Sequence, residues 1–287
     1  FIRLPRFGRE DRFIFVRSGN TVPIDLSYGK GVSAMIHGVV DLGSNTVRLS
    51  IYQCEEGSAR LLMNRKVTAG LADYVEGGTM TPQGIQTASQ ILMEYHDLMK
   101  NLGFDQPHVF ATASLRNIQN TDYVLQEIET MCGMRVRVLS GYEEAMLDYR
   151  GATRALDRSS GLMADIGGGS TELVTMAHDG PGVIESLPIG SLTLAKEYVG
   201  KVFPKQSECE KIQARIRKEL KKRKLHRLPA HTSLCGVGGT ARSLLLLAQE
   251  QQELPDTQRL LTTGQLKKLE KLLWKKDNTA RELLLKN

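Results

Sequence analysis

Hydrophobic and polar positions along this chain switch between a period of two and a period near 3.6, and the switches lay out its elements. Short apolar runs at residues 36–40 and 47–53 predict two strands, and residues 61–71 a third strand with a turn. A glycine-rich stretch, 74–80, reads as a flexible loop. Thr81-Pro82 then forms an N-cap with proline at the first helical position, and Ile85, Leu92, Tyr95, Met99 and Leu102 make a helical stripe up to Gly103. Residues 109–113 predict a strand. Asn120 or Thr121 caps the next helix, with Tyr123, Ile128 and Met131 inward and Gly133 as its stop. A strand over 136–139 follows, and Gly141 opens a helix running toward Gly151. The second half repeats the scheme. Strands fall at 161–166, 173–176 and 183–188, helices at 192–198 and after Ser207 with Ile212, Ile216 and Leu220 inward, then a strand at 233–237 and a helix from Gly238 through Leu247. Strands alternating with helices in both halves predict an α/β protein.

Two of the strand-to-strand turns carry chemistry. Ala164-Asp165-Ile166-Gly167-Gly168-Gly169-Ser170-Thr171-Glu172 ends an apolar run in an aspartate, then supplies three glycines and two hydroxyls. Without Cβ atoms the backbone can approach a ligand, so successive N–H groups converge on an anion, and Ser170 and Thr171 add donors. The expected ligand is phosphate. Asp165 and Glu172 set two carboxylates beside it, which calls for a divalent cation between them. Val40-Asp41-Leu42-Gly43-Ser44-Asn45-Thr46-Val47 repeats the order 124 positions earlier, counting 165 minus 41. An ordinary glycine hairpin is the plain alternative for either copy alone, but turn chemistry does not require the aspartate twice. A duplicated unit with a cleft between its halves is the expectation.

With Ala111-Thr112-Ala113-Ser114-Leu115-Arg116 and Ser140-Gly141-Tyr142-Glu143-Glu144-Ala145, these turns resemble the exopolyphosphatase and guanosine pentaphosphate phosphohydrolase (Ppx/GppA) family of the actin, Hsp70 and sugar kinase superfamily. The motifs run in that family's order from about Ile36 to Leu245. The resemblance implies two ribonuclease H-like (actin-like ATPase) domains, over 35–155 and 156–287, with an interdomain cleft. A closing helix and strand usual in the family is not found after Lys286, so the second domain is expected to be cut short. Residues 1–34 are basic, lack the apolar stretch of an export signal and precede Met35, where the family pattern begins; they are read as an extension without assigned function.

The activity implied is hydrolysis of the terminal phosphate of linear inorganic polyphosphate by water. Guanosine pentaphosphate is the sibling substrate, and a non-catalytic nucleotide or polyphosphate sensor is the alternative of another class. Carried over residue by residue, the resemblance makes Glu144 the water-activating base and gives Mg2+, with Mn2+ as a substitute, to Asp165, Glu172 and Asp41. Phosphates fall to Gly43, Ser44 and Asn45, to Gly167, Gly168, Gly169 and Ser170, to Gly239 and Thr240, and to Lys218 on the helix after Ser207. Arg116 can hold phosphate oxygens bidentately; a surface arginine after a strand is its plain alternative. Glu143 is the rival of Glu144, and acids in a first helical turn suit the helix dipole, so capping alone could account for both. Asn117 stands where relatives often carry an acid, and Thr46 where serine is commoner.

Other readings are weaker. Gly236-Val237-Gly238-Gly239-Thr240-Ala241 has the GxGxxA form of a dinucleotide turn, but the acid expected about twenty positions later is missing, since Asp256 follows Pro255 in a polar stretch. There is no GxxxxGK[ST] motif. The net charge of +6 conceals an asymmetry: from Gly200 onward there are 20 Lys plus Arg against 9 Asp plus Glu, leaving 18 against 23 before it. A basic last third attracts polyanions. It lacks the interleaved aromatics of a nucleic-acid binder, so no specific nucleic acid is expected, and a solvated helix face is the plain reading of 215–224. No apolar run reaches membrane-spanning length. Cys54, Cys132, Cys209 and Cys235 have neither CxxC nor framework spacing, which predicts reduced thiols in the cytoplasm. The partners expected are the phosphate substrate and, in a homodimer, a second copy.

Overall fold

The computed structural model describes residues 12–15, 35–55, 58–104, 107–155, 160–201, 203–228 and 233–286. The chain divides into two units between Glu144 and Ala145, and the first strand, β1 (Arg12–Phe15), belongs with the later one.

The earlier unit runs through β2 (Met35–Leu42), β3 (Thr46–Glu55), β4 (Ser58–Thr68), a 3-10 turn at Leu71–Tyr74, β5 (Val75–Glu76), β6 (Thr79–Met80), α1 (Pro82–Asn101), β7 (His108–Ala111), α2 (Ala113–Arg116), α3 (Thr121–Cys132), β8 (Val136–Val138) and the start of α4 (Gly141–Ala155). Its main sheet has the order β4-β3-β2-β7-β8. β3 is antiparallel to both neighbours, whereas β7 and β8 are parallel to β2, so the C-terminal ends of three strands lie on one side. Every second residue of β2 and β3 goes inward: Val40, Leu42, Val47 and Leu49 are fully buried against Leu92, Tyr95 and Met99 of α1 and Val124 and Ile128 of α3. Each such side chain contributes about 1.5–3 kcal/mol relative to exposure. The Tyr95 hydroxyl donates to the Val47 carbonyl at 3.1 Å, pinning α1 to the strand that leaves the first aspartate turn. α1 begins where expected, the Thr81 hydroxyl accepting the Gly84 N–H at 3.3 Å ahead of Pro82.

Two expectations are corrected here. The inward stripe of α3 is Val124, Ile128 and Cys132, whereas Tyr123 and Met131 are exposed, because a spacing of four keeps the face that Ile128 defines. The stretch 74–80 is an ordered hairpin: β5 and β6 pair antiparallel across Gly77 and Gly78, whose φ of +55° and +83° are the two positive angles of a tight hairpin turn.

The later unit contains β9 (Gly161–Ile166), β10 (Thr171–Ala177), β11 (Gly180–Leu187), α5 (Ser191–Tyr198), α6 (Gln206–Lys222), β12 (Ser233–Val237), α7 (Gly238–Gln251), β13 (Leu260–Thr262), α8 (Thr263–Lys275) and α9 (Asn278–Lys286). The last three lie beyond the final element the periodicity suggests. The sheet order is β11-β10-β9-β12-β1-β13. Its first four places copy β4-β3-β2-β7 of the other sheet, with the same parallel and antiparallel senses. The architecture is thus a pair of α/β units of ribonuclease H-like order. β9 is buried on both faces, with Ala164 packed among Leu173, Leu187, Ile189, Ile216 and Leu220 on one side, and Met163 with Ala145, Ala152, Val174 and Cys235 on the other. Ala145 and Ala152 explain why the division falls inside α4 rather than after it. Burial pushes the Cys235 thiol up to about 12, so it packs as a small apolar group.

The N-terminal stretch, read as an extension, contains a sheet strand. β1 pairs parallel with β12 from Arg12↔Ser233 to Phe15↔Gly236, and antiparallel with β13. Phe13-Ile14-Phe15 are strong strand formers, but a four-residue run whose partner lies over 200 positions away leaves no local signal. No described helix is long and apolar enough to cross a membrane.

Candidate active site

In the earlier unit the motifs gather at the C-terminal ends of β2, β7 and β8, where open α/β sheets bind ligands. The first aspartate turn closes with the Gly43 N–H donating to the Thr46 carbonyl at 3.1 Å. The Ser44 carbonyl accepts from the Ala72 N–H (2.8 Å), and the Asn45 carbonyl from the N–H groups of Ala69 (2.8 Å) and Gly70 (2.9 Å). Peptide planarity then turns the Asn45 N–H, which shares a plane with the Ser44 carbonyl, the opposite way. The Ser114 hydroxyl donates to the Leu42 carbonyl and ties α2 to this turn.

α2 ends in Arg116, whose Nη1 donates to the Leu139 carbonyl at 3.0 Å and to Glu144 Oε2 at 2.7 Å. The two side chains are only 18% and 17% exposed, so the pair is largely shielded yet open on one side.

Its neighbour has a different task. The Ser140 N–H donates to Glu143 Oε2 at 2.9 Å and the Glu143 N–H donates to Ser140 Oγ at 3.2 Å, a reciprocal capping box at the start of α4. Arg137 holds the other Glu143 oxygen. The Ser140 N–H and hydroxyl, with the Arg137 charge adding a smaller pull, hold the Glu143 carboxyl below the usual range. A folded-state pKa below the unfolded one means a stabilisation present above the unfolded value and lost as pH falls through the folded one. Glu143→Ala is therefore expected to lower the thermal midpoint at pH 7, with the gap from the parent closing below about pH 4. Melting both proteins across that range checks it.

The second aspartate turn closes in the same way, Gly167 N–H to Ser170 carbonyl at 3.0 Å. The copies differ across the strands: Asp41 lies opposite Arg48, whereas Asp165 lies opposite Glu172. Directly opposed residues of an antiparallel pair share a face with Cβ atoms about 5 Å apart, so the second turn sets two carboxylates side by side. Glu172 is 1% exposed, and its Oε1 accepts from the Ser186 hydroxyl at 2.8 Å.

The first turn of α5 seats the glycine loop. The Ser191 N–H donates to the Gly167 carbonyl (2.8 Å), and the Leu192 and Thr193 N–H groups to that of Gly168 (3.0 and 3.1 Å). The N–H groups of Gly168 and Gly169 share those peptide planes and point the other way, as a phosphate cradle requires. Gly190 permits this contact, since a Cβ there would lie 2.3 Å from the Gly168 carbonyl oxygen. From β12 the chain enters α7 through Gly238, where a Cβ would lie 2.1 Å from Asp165 Oδ1. The Thr240 hydroxyl reaches Ser191 Oγ at 3.4 Å. Asp165, the glycine loop and the first turns of α5 and α7 are thus one neighbourhood, and Gly239 and Thr240 belong to it.

Lys218 is exposed on α6, two residues from the inward Ile216 and so on the helix's far side. Arg215 pairs with the buried Glu219 and Arg223 with the half-buried Glu185, so this part of the basic stretch is tied to carboxylates and is not the fully solvated face expected of 215–224. Sequence reasoning did not single out Ser114, Ser186, Arg137 or the fit at Gly190; only Gly190-Ser191, a strand followed by a helix opening, carries a visible signal. Among the described residues no group of three or more His, Cys, Asp or Glu side chains is gathered to hold a metal ion.

Duplicated ribonuclease H-like units, each with an aspartate-glycine turn between antiparallel strands, define the class of this fold. The Ppx/GppA phosphatase family pattern matches residues 50–286, and the chain belongs to that family. It is 30% identical over 166 residues to exopolyphosphatase 1 of Mycobacterium bovis, a match covering 56% of this chain and 48% of that protein. The chain spans about half the length of that curated relative. Its fold resembles an exopolyphosphatase from Cytophaga hutchinsonii (TM-score 0.70, 22% identity, 76% of this chain and 72% of that one). It also resembles the Ppx/GppA family member of Aquifex aeolicus (TM-score 0.64, 26% identity, 82% and 78%).

Proposed function

We propose that the chain is an exopolyphosphatase, removing the terminal phosphate of linear inorganic polyphosphate by attack of water. The observation that carries this reading is the separation of two adjacent glutamates: Glu143 is committed to its capping box, and Glu144 is held by Arg116. The similarity to a named exopolyphosphatase supports it.

Phosphoryl transfer depends mainly on positioning and charge stabilisation. In this reading Glu144 accepts the proton of the attacking water, and Arg116 orients it and meets phosphate oxygens. Amides of Ser44 and Asn45 and of Gly168, Gly169 and Ser170 hold phosphates, helped by Gly239 and Thr240. Gly43 and Gly167, expected as donors, instead spend their N–H groups closing the two turns and serve the site by their shape. Lys218 adds charge to a basic helix that attracts polyanions.

Asp165 and Glu172 would hold a Mg2+ or Mn2+ ion, and their carboxylates, facing each other across the ladder, are the oxygen donors such hard cations take. Asp41 is the weaker donor, because it faces Arg48. A site with few protein carboxylates suits magnesium, which keeps water and substrate oxygens as ligands; when bound it neutralises phosphate charge. The free state of Cys54, Cys132, Cys209 and Cys235 supports a reducing, cytoplasmic setting.

The test is orthophosphate release by the purified chain with magnesium. Faster release from long-chain polyphosphate than from guanosine pentaphosphate or ATP, stopped by EDTA, is expected. Release from guanosine pentaphosphate alone would reassign the substrate. Binding of polyphosphate without release from any of the three would make the chain a sensor.

A further inference from the structure

The two sheets differ in one lane. In the earlier unit the fifth lane holds β8, which follows β7 in the chain through α2 and α3. In the later unit the corresponding lane beside β12 holds β1, which precedes every other described strand. β12 and β13 are joined through β1, whose register runs from Arg12↔Ser233 to Phe15↔Gly236 on one side and from Arg12↔Thr262 to Ile14↔Leu260 on the other. Two strand spacings, about 10 Å, separate the flanking strands. An empty lane would leave two facing rows of backbone N–H and C=O groups without ladder partners, which sheets do not tolerate in their interior. The lane demands an extended segment.

We propose that this lane is a strand-acceptor site that takes a β1 segment supplied in trans, its natural source being a second copy of this chain. Three features make the exchange feasible. β1 is four residues long, so few ladder bonds hold it. Its own closure spans the whole earlier unit, and a donor from another copy does not bear that loop entropy. Both walls of the lane are backbone edges, the recognition surface of β-augmentation, which reads an extended chain through main-chain bonds. The inference stands on the sheet and not on the proposed reaction.

The probe is a fluorescent peptide of residues 8–19, titrated into the 287-residue chain and read by anisotropy. The control peptide carries Ile14→Pro, which removes a ladder N–H and rigidifies the strand. Saturable uptake of the parent peptide, weaker by about tenfold or more for the proline peptide, is expected. The Ile14→Pro chain, whose own strand is handicapped, is expected to take up the parent peptide more tightly than the unmodified chain does. A dimer that forms with rising concentration and is dissolved by excess peptide is the expected behaviour between copies. No uptake by either chain, or equal uptake of both peptides, overturns the proposal. If the Ile14→Pro chain does not fold alone, added parent peptide is expected to restore its cooperative melting transition, and failure to restore it overturns the proposal equally.

Discussion

Glu144→Gln is expected to cut phosphate release by about 10²–10⁴-fold, the usual contribution of a positioned general base, while polyphosphate binding stays near that of the parent. The amide keeps the size of the side chain and a carbonyl oxygen for the Arg116 Nη1 that now sits 2.7 Å from Oε2, but it cannot take a proton at neutral pH. Because the change spares the capping box at Ser140, the fold should be unaffected. Turnover by the Gln variant is measured beside Glu143→Ala, which weakens the cap and leaves Glu144 and Arg116 in place. The base assignment fails if Glu144→Gln keeps normal rates, or if Glu143→Ala loses turnover while still folded.

Gly238→Ala is expected to damage both the stability and the site of the later unit. The residue has a φ of +84°, which costs an L side chain about 1–2 kcal/mol, and its Cβ would fall 2.1 Å from Asp165 Oδ1. Either the Asp165 carboxylate or the first turn of α7 must move, and in both cases the neighbourhood of Gly239 and Thr240 is rebuilt. A melting point lowered by several degrees is expected, together with a rate loss that extra magnesium does not restore. Gly239→Ala is the matched control: nothing lies within 4 Å of a Cβ there, so its melting point should be close to the parent's. Equal stability of the two variants would falsify the tight fit at Gly238.

How much of this was legible beforehand divides along local and non-local lines. The strands around both aspartate turns, the capped start of α1 and the glycine stop of α3 follow from neighbours a few residues apart, and so were readable. The aspartate turns and the Glu143-Glu144 pair were visible as residues, but which glutamate caps and which pairs with Arg116 was not. That outcome depends on Leu139 and Arg116 arriving from other elements. The phase of α3 was misread because Tyr123 and Met131 are as apolar as the residues that point inward. Close approaches at Gly190 and Gly238 set segments beside one another that are 22 and 73 positions apart, counting Gly168 to Gly190 and Asp165 to Gly238, and no window along the sequence spans them. β1 is the extreme case.

Its position also dictates a timetable for synthesis. Phe15 leaves the ribosome 218 positions before Ser233, counting 233 minus 15, the first residue of the strand it must lie against. At about 5–20 residues per second, the Phe-Ile-Phe segment waits roughly 10–40 s as a nascent strand without its partner. The earlier unit can complete its own sheet in that interval; the later one cannot until nearly the last of its strands has emerged. Slow codons between these two segments, or a holdase bound to the earlier one, would therefore act on the folding of the half translated last.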